Sequence, residues 1–172
     1  MERIVITNVN DAARKWDSNL DWEVFKRFDA EGNPTHACDF KRSSISAPFS
    51  TGGKLEVYFY TIPPGKTGCP YHYHTANEEV FYIISGQGML RTPDGDKSIT
   101  SGDAIVMPAN ENGAHKLINT SDAPLVYLEV KTAITPEICV QPDSNKAILI
   151  APPNLFAKAY EIDAVVDYLH GE

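Results

Sequence analysis

The chain of 172 residues has no apolar run near the ~20 residues that a membrane-spanning helix requires. Its first residues, MERIVITNVNDAARKW, lack the apolar segment and the small-residue cleavage site of a secretory signal. Cysteine is scarce, and Cys38, Cys69 and Cys139 are an odd number at wide spacing, unlike a disulfide framework. We therefore expect a cytoplasmic protein with reduced thiols and no membrane partner.

Positive charge is also in short supply. Fifteen basic residues stand against 23 acidic ones, which gives a formal net charge of −8. That balance repels nucleic-acid backbones and anionic lipid surfaces, and we find no helix-turn-helix pattern. The hydrophobic content of 42% and the charged content of 22% are those of an ordinary globular protein. The expected partner is a small molecule, either a ligand or a substrate.

Long helical periodicity is missing from the middle of the chain. Short runs rich in Val, Ile, Tyr, Phe and Leu alternate there with Gly, Pro and Asp turns, a pattern typical of strands. The predicted strands are 55–62, 71–74, 79–84, 88–92, 97–100, 104–107, 115–119 and 125–131. Eight short strands without an intervening helix predict an all-β antiparallel sandwich or barrel.

This pattern divides the chain into three parts. Residues 54–132 are expected to form the barrel core, and residues 1–53 an N-terminal extension that packs on the barrel or on a partner subunit. Residues 133–172 are expected to form a C-terminal extension, in which several prolines interrupt any continuous sheet.

Local patterns in the two extensions are weaker. Residues 20–28 could form a short helix, and residues 43–53 read as a loop because Ser, Thr, Gly and Pro are frequent there. Residues 147–150 could add one edge strand. The tail 160–169 has apolar residues at helical spacing, which indicates a helix that packs on the barrel or on a partner subunit.

Four residues form a predicted cluster of potential metal ligands. His72 and His74 lie two apart on a predicted strand, so their side chains share one face. A short turn then returns Glu79 on the neighbouring strand, with apolar residues at alternate positions beside it. His115 starts a later strand after a Gly- and Pro-rich approach. Three imidazoles and one carboxylate bind a borderline divalent ion well, and Zn, Fe, Ni and Mn all suit them.

Several alternatives stay open at this stage. Glu78 competes with Glu79 as the carboxylate, although the pleat should turn it away from the histidines. We expect Cys69 to be a structural thiol, and His36 and His170 to be solvated. Most tyrosines on the strands should pack in the sheet, while one could act as an acid. Candidate pocket-lining residues, chosen by strand parity, are Gln87, Met89, Leu117 and Asn119, the last of which could instead serve a turn.

The order of these residues resembles the two motifs of the cupin superfamily. The first motif is matched by His72-x-His74, four residues, Glu79, six residues and Gly86. The second is matched by Gly102, five residues and Pro108, and then by His115, three residues and Asn119. The segment PANENGAH before and including the last histidine is two residues longer than that motif. The resemblance covers roughly residues 54–131.

The resemblance to cupins implies a double-stranded β-helix, or jelly-roll, barrel that holds one divalent metal ion. An octahedral ion on three histidines and one glutamate would retain two positions for water, O₂ or substrate. Three functions follow: a metal-dependent enzyme on a small oxygenated metabolite (dioxygenase, isomerase or lyase), a non-catalytic barrel that binds or senses a small molecule such as a sugar, or a barrel in which the metal mainly stabilises the fold. Cupins are commonly dimers, so we expect a homodimer.

Overall fold

The computed structural model describes residues 23–28, 34–45, 54–151, 156–167 and 169. These ranges form thirteen strands and two single 3₁₀ turns, Glu111–Gly113 and Pro142–Ser144. The strands are β1 (Glu23–Phe28), β2 (Pro34–Ser44), β3 (Leu55–Ile62), β4 (Tyr73–His74), β5 (Glu79–Ser85), β6 (Gln87–Thr92), β7 (Gly95–Thr100), β8 (Ala104–Met107), β9 (Lys116–Ile118), β10 (Leu125–Thr132), β11 (Glu137–Gln141), β12 (Lys146–Ala151) and β13 (Phe156–Glu161).

The strands lie in two layers. One layer is a six-stranded sheet in the order β1-β2-β3-β10-β5-β8. The other layer contains a four-stranded sheet, β13-β12-β11-β4, and a three-stranded sheet, β7-β6-β9. An isolated antiparallel bridge between His72 and His115 joins the last two, just before β4 and β9 begin. All the strand pairs within the three sheets are antiparallel, and the arrangement is the double-stranded β-helix that the sequence predicts.

The core lies between the layers. Strict alternation along β5 and β10 buries every second side chain, as expected for strands with one face turned inward. Ile62, Ile83 and Leu125 are fully buried in this core. Tyr127 stacks on Tyr60 at 4.9 Å between ring centroids, with the planes only 7° apart. These contacts fix the inner face of β3, β5 and β10, from which Glu79 and several residues of the cavity wall project.

The eight predicted barrel strands are confirmed as β3 to β10, with ends that shift by at most two residues. The division of the chain into 1–53, 54–132 and 133–172 stays a prediction, although β2 hydrogen-bonds to β3 and so continues the six-stranded sheet. Residues 43 and 44, expected in a loop, end β2, and residues 46–53 lie outside the described ranges.

Three predictions for the extensions are wrong. Residues 23–28 form β1 instead of a helix, because the segment pairs with β2 along its length. The C-terminal part supplies three strands instead of one, and β12 lies between β11 and β13, away from the sheet edge. The tail is no helix either: its start completes β13, and residues 164–167 have no regular structure. Ladder pairing overrides weak helical periodicity in both places. Within the described ranges, no helix has the length and apolarity to cross a membrane.

Candidate metal centre

His72 and His115 are brought together by their main chains. His72 N donates to His115 O at 3.1 Å, and His115 N donates to His72 O at 2.9 Å. Each imidazole then donates from Nδ1 to the carbonyl two residues earlier, to Pro70 at 2.8 Å and to Gly113 at 2.9 Å. Since a carbonyl only accepts, both rings carry their proton on Nδ1 and leave Nε2 as a lone-pair donor.

The inserted residues in the second motif serve this arrangement. Asn110 caps the 3₁₀ turn Glu111–Gly113 by accepting a hydrogen bond from Asn112 N at 2.9 Å. The turn ends at Gly113, whose carbonyl orients the His115 ring. The two extra residues of PANENGAH therefore build a turn beside the site without moving the histidine out of it.

Glu79 lies between two imidazoles. Its Oε1 is 3.1 Å from His74 Nε2, and its Oε2 is 3.3 Å from His115 Nε2. Ligand atoms that share one ion at bonds of about 2 Å lie about 3 to 3.5 Å apart, so these separations suit a common ion. Side-chain donor atoms of His72, Glu79 and His115 all lie within 4.8 Å of one another.

Two buried polar atoms that face each other at this candidate metal centre lack hydrogen bonds to the described part of the chain. Glu79 Oε2 and His115 Nε2 are buried and have no hydrogen-bond partner among the described residues. Leaving such atoms unpaired in a core costs about 1 to 3 kcal/mol each, which a bound cation would offset. The donor set of imidazole nitrogens and carboxylate oxygens therefore fits a divalent metal ion.

The electrostatics also favour the forms that bind a metal. Burial, aided by neighbouring His115, lowers the pKa of His72 to about 3, and burial lowers the pKa of His115 as well. Both rings are thus neutral ligands at ordinary pH. Burial would raise the pKa of Glu79, but the proximity of His74, His115 and His72 outweighs it and holds that pKa below its usual value.

A second group of potential ligands overlaps the first. Cys139, which pairs with His74 in the β4–β11 ladder, has its Sγ within 4.8 Å of donor atoms of His72 and His74. Burial, with the nearby charges of Glu79 and Glu137, raises the pKa of this thiol to about 12. The protonated thiol is a poor ligand, so the carboxylate of Glu79 is the better fourth donor.

The structure separates the carboxylates that the sequence left open. Glu79 is buried and faces the imidazoles, whereas Glu78 is exposed and hydrogen-bonds through its main chain to Thr132. The strand pleat is the cause, since consecutive side chains point to opposite faces.

Among the other candidates, Leu117 lines the cavity described below, whereas Gln87 and Met89 line a separate surface pocket. Asn119 is fully buried and donates to two carbonyls, so it serves a turn. Cys69 lies on the cavity wall, and the side chains of His36 and His170 lie outside the described residues.

The histidines open into a cavity of about 150 Å³. Its size suits a small metabolite, since drug-sized pockets are larger. The walls come from both layers and consist of Arg42, Tyr60, Cys69, His72, His74, Glu79, Phe81, His115, Lys116, Leu117, Tyr127, Glu129 and Lys131. The ring of Phe81 meets His115 edge to face at 5.2 Å and supplies the apolar wall expected beside the ligands.

Charged residues on β10 and β2 are the part of the site that sequence reasoning missed. Glu129 and Lys131 share the inward parity of Leu125 and Tyr127, and this alternation was the signal that could have identified them. Tyr60 lines the same cavity as Glu129 and Arg42, where burial and their nearby charges influence the pKa of its hydroxyl.

The ionisable side chains on the cavity wall shift one another's pKa values. Burial, reinforced by the charge of Glu79, raises the pKa of Glu129 to about 8. Burial would lower the pKa of Lys131, but its 3.1 Å ion pair with Glu56 and the charges of Glu129 and Glu79 outweigh it and raise that pKa. The cavity therefore holds a carboxyl group poised near neutral pH next to a permanent cation.

Comparison with known families is consistent with this geometry. The model of the cupin domain family Cupin_2 matches residues 58–131, the stretch that contains all four candidate ligands. Residues 58–131 are therefore a domain of the cupin superfamily. The fold of the chain is also that of solved cupins, among them a cupin 2 conserved barrel protein from Rhodopseudomonas palustris, with 16% identity, a TM-score of 0.57 and coverage of 77% of this chain and 81% of that one.

Two further relatives of this cupin are described as isomerases. A glucose-6-phosphate isomerase from Thermococcus onnurineus is 31% identical over 91 residues, which are 47% of this chain and 48% of that protein. The cupin thus spans about half the length of this curated relative. A sugar phosphate isomerase structure from Silicibacter pomeroyi has 20% identity, a TM-score of 0.67 and coverage of 73% of this chain and 78% of that one. At that identity, the structural likeness establishes the fold alone.

Proposed function

We propose that this cupin is a metal-dependent isomerase that acts on a small phosphorylated α-hydroxy carbonyl compound of the sugar-phosphate class. His72, His74, Glu79 and His115 would hold one divalent ion, Zn, Fe, Ni or Mn. Bound there, the ion would act as a Lewis acid that polarises the substrate carbonyl and eases removal of the neighbouring carbon-bound proton. The descriptions of the isomerase relatives support this class of substrate.

The observation that carries the proposal is Glu129, a buried carboxyl in the same cavity as the candidate ligands. With its pKa raised to about 8, it is a base strong enough to accept a carbon-bound proton and an acid able to return it at neutral pH. In an aldose–ketose exchange a proton leaves the hydroxyl-bearing carbon and is returned to the former carbonyl carbon, while the hydroxyl proton passes from the oxygen on the first carbon to the former carbonyl oxygen. Glu129 is regenerated, and no oxidant or reductant is consumed.

Cations on the cavity wall suit a phosphorylated substrate. Arg42, Lys116 and Lys131 line the cavity in a chain whose net charge is −8. Arg42 lies 4.9 Å from the centre of the Tyr58 ring, which holds its guanidinium near the cavity. A guanidinium and two ammonium groups attract an anionic substrate into a site that bulk charge would otherwise repel.

An NMR assay tests the proposal directly. The protein is loaded with each candidate metal and given a panel of aldose and ketose phosphates in D₂O. We expect interconversion of one pair, and deuterium at the carbon next to the carbonyl wherever the abstracted proton exchanges with solvent. Glu129→Gln should remove turnover while metal content stays at the wild-type level. O₂ consumption or release of CO₂ in place of interconversion would contradict the isomerase and favour the dioxygenase or lyase class.

Binding without turnover would instead support the second candidate, a barrel that senses a small phosphorylated ligand. The cations on the cavity wall favour a phosphorylated ligand in both cases. Only the role of Glu129 in proton transfer distinguishes the enzyme from the binding barrel. A binding barrel would keep its ligand affinity in Glu129→Gln and would show no interconversion in either protein.

We also propose that the protein is a homodimer that packs through the outer face of β5 and β8. This face exposes Val80, Tyr82, Ile84 and Val106, the last with 71% of its surface accessible. Two copies with a net charge of −8 repel each other, and an uncharged apolar face is where they can meet. Light scattering should show a dimer that Val106→Lys converts to a monomer, with the exposed Ser98→Lys as the matched control. A monomeric wild type at high concentration would refute the dimer.

The cytoplasm is the compartment that we propose for this protein. Cys69 and Cys139 are free thiols in the structure, and free thiols persist in reducing compartments. Fractionation of cells that express the full chain should recover it with cytoplasmic markers, and recovery from a membrane or secreted fraction would contradict the assignment.

A further inference from the structure

His74 differs from the other two histidines in how its ring is held. His72 and His115 each donate from Nδ1 to a main-chain carbonyl two residues earlier. The Nδ1 atom of His74 is buried and has no hydrogen-bond partner among the described residues. Its nearest charged neighbour on that side is Glu137 at the start of β11, whose Oε1 is 3.5 Å away.

Glu137 is itself a buried carboxylate with incomplete hydrogen bonding. Its side chain is 2% exposed, and Oε1 accepts hydrogen bonds from Thr75 N at 3.0 Å and Ala76 N at 3.3 Å. The second oxygen, Oε2, is buried without a hydrogen-bond partner among the described residues. The carboxylate therefore has spare acceptor capacity, and its Oε1 lies 3.5 Å from the unsatisfied imidazole nitrogen, just beyond ordinary hydrogen-bond length.

The carboxylate of Glu137 is anchored to the turn that follows His74. The two amides that it binds belong to the residues directly after His74, so Glu137 is fixed to the same turn as the ring. The main-chain pairing of Cys139 with His74 in the β4–β11 ladder sets the distance between the two strands. On the opposite side of the ring, Nε2 faces Glu79 at 3.1 Å.

We propose that Glu137 is a positioning residue for the metal centre, and that it accepts the Nδ1 proton of His74 and so directs Nε2 to the ion. The inference rests on the metal site of the proposed function and is independent of the reaction. A carboxylate in this position orients a ligand ring, fixes its tautomer and increases its donor strength. It also makes β11, from the C-terminal part of the chain, a component of the site.

The test compares Glu137→Gln with Asn77→Ala in the full chain. Asn77 anchors the same turn through hydrogen bonds to Ile134 N at 2.7 Å and Ile134 O at 3.0 Å, so its loss loosens the turn without removing the carboxylate. Zinc affinity is measured by competition with a chromophoric chelator, and thermal stability is recorded for each variant. Nitrogen-15 NMR of the zinc-loaded protein reports which ring nitrogen of His74 carries the proton.

We expect Glu137→Gln to bind zinc about 10- to 100-fold more weakly and to shift the Nδ1–H signal of His74, which then lacks a charged acceptor. Asn77→Ala should lose stability but keep both the signal and most of the affinity. Unchanged zinc affinity in Glu137→Gln, or a loss no greater than that of Asn77→Ala, would overturn the inference. A wild type that binds no zinc, iron, nickel or manganese would instead refute the metal site itself, which keeps the two failures distinguishable.

Discussion

His72 and His115 hydrogen-bond to each other through their main chains in both directions, although 43 residues separate them in sequence. The bridge joins the two sheets of one layer and places both imidazoles next to Glu79 through main-chain hydrogen bonds alone. Such preorganisation means that a ligand side chain can be removed while the backbone around it persists.

Removal of the His115 side chain should therefore abolish metal binding and leave the fold intact. The backbone bonds to His72 survive in His115→Ala, while the Nε2 donor and its contact with Glu79 are lost. Elemental analysis should find no stoichiometric metal, and circular dichroism should match the wild type. The same result is expected for His74→Ala. Full metal occupancy in either variant would disprove its place among the ligands.

The adjacent carboxylates Glu78 and Glu79 give a matched pair of variants. Glu79→Gln removes a buried charge between His74 and His115, whereas Glu78→Gln changes an exposed side chain one residue away. We expect metal affinity to fall by at least about 100-fold in the first, since the carboxylate is both a ligand and the charge that offsets the ion. Calorimetric titration should show wild-type affinity in the second. An equal loss of metal affinity in both variants would mean that the buried Glu79 is not preferred over the exposed Glu78 as the ligand.

Sequence patterns predict the parts of the fold and the site that depend on neighbouring residues. They do not predict the parts that depend on which distant strands pair. Alternation along β5 and β10 is a local pattern, so the strands and the inward side of Glu79 follow from it. Glu137 and Cys139 reach His74 only through the β4–β11 ladder, and no local pattern indicates which strands pair. The tail illustrates the same limit, because its helical spacing is local and its pairing with β12 is not.

Gly113 should tolerate no side chain. A Cβ atom there would collide with the main-chain oxygen of Pro108 and lie 3.1 Å from Pro108 C, which forces the loop to move. Because the Gly113 carbonyl holds the His115 ring, we expect Gly113→Ala to lower the free energy of unfolding by about 2 kcal/mol and to weaken metal binding. Urea unfolding and metal titration measure the two effects.

Gly95→Ala is the control for the preceding variant. Gly95 has a φ of +99° and no atom within 4 Å of a built Cβ, so an alanine there is strained without a collision. This exposed turn is remote from the histidines, and we expect a loss of stability with metal affinity unchanged. If both glycine variants kept wild-type metal affinity, the carbonyl of Gly113 would have no part in orienting the ring.

The raised pKa of Glu129 predicts a distinctive dependence of stability on pH. Between its ordinary value of 4.5 and about 8, the folded protein retains the Glu129 proton while the unfolded chain has released it. The stabilisation is complete below about pH 4.5 and is lost as the pH rises through about 8. Glu129→Gln cannot titrate, so the wild type should lose stability relative to the variant by at most about 1.4 kcal/mol per pH unit in that window.

Denaturant unfolding of the two metal-free proteins at several pH values measures this difference. Titration of the buried histidines is common to both proteins and cancels in the comparison. A difference that stays constant across the window would show that Glu129 is already ionised in the folded protein. It would then be too weak a base for the proton transfer that we propose.

Asn119 should matter for stability and not for metal binding. Its amide nitrogen donates to Ile62 O at 2.9 Å and to Ala123 O at 2.7 Å, and its oxygen accepts from Ser121 N at 3.0 Å. Asn119→Ala leaves these groups unpaired at a fully buried position, which should cost about 3 kcal/mol.

Asn119→Asp separates the donor role from the acceptor role. The aspartate keeps the acceptor for Ser121 but places a carboxylate against the carbonyls of Ile62 and Ala123. Both neighbours can only accept, so the charge is repelled, and the variant should be at least as unstable as Asn119→Ala. Urea unfolding ranks the variants, and metal titration of the folded fraction should give wild-type affinity for both. Weaker metal binding in either would mean that the turn at Asn119 also holds His115, four residues earlier in the same segment.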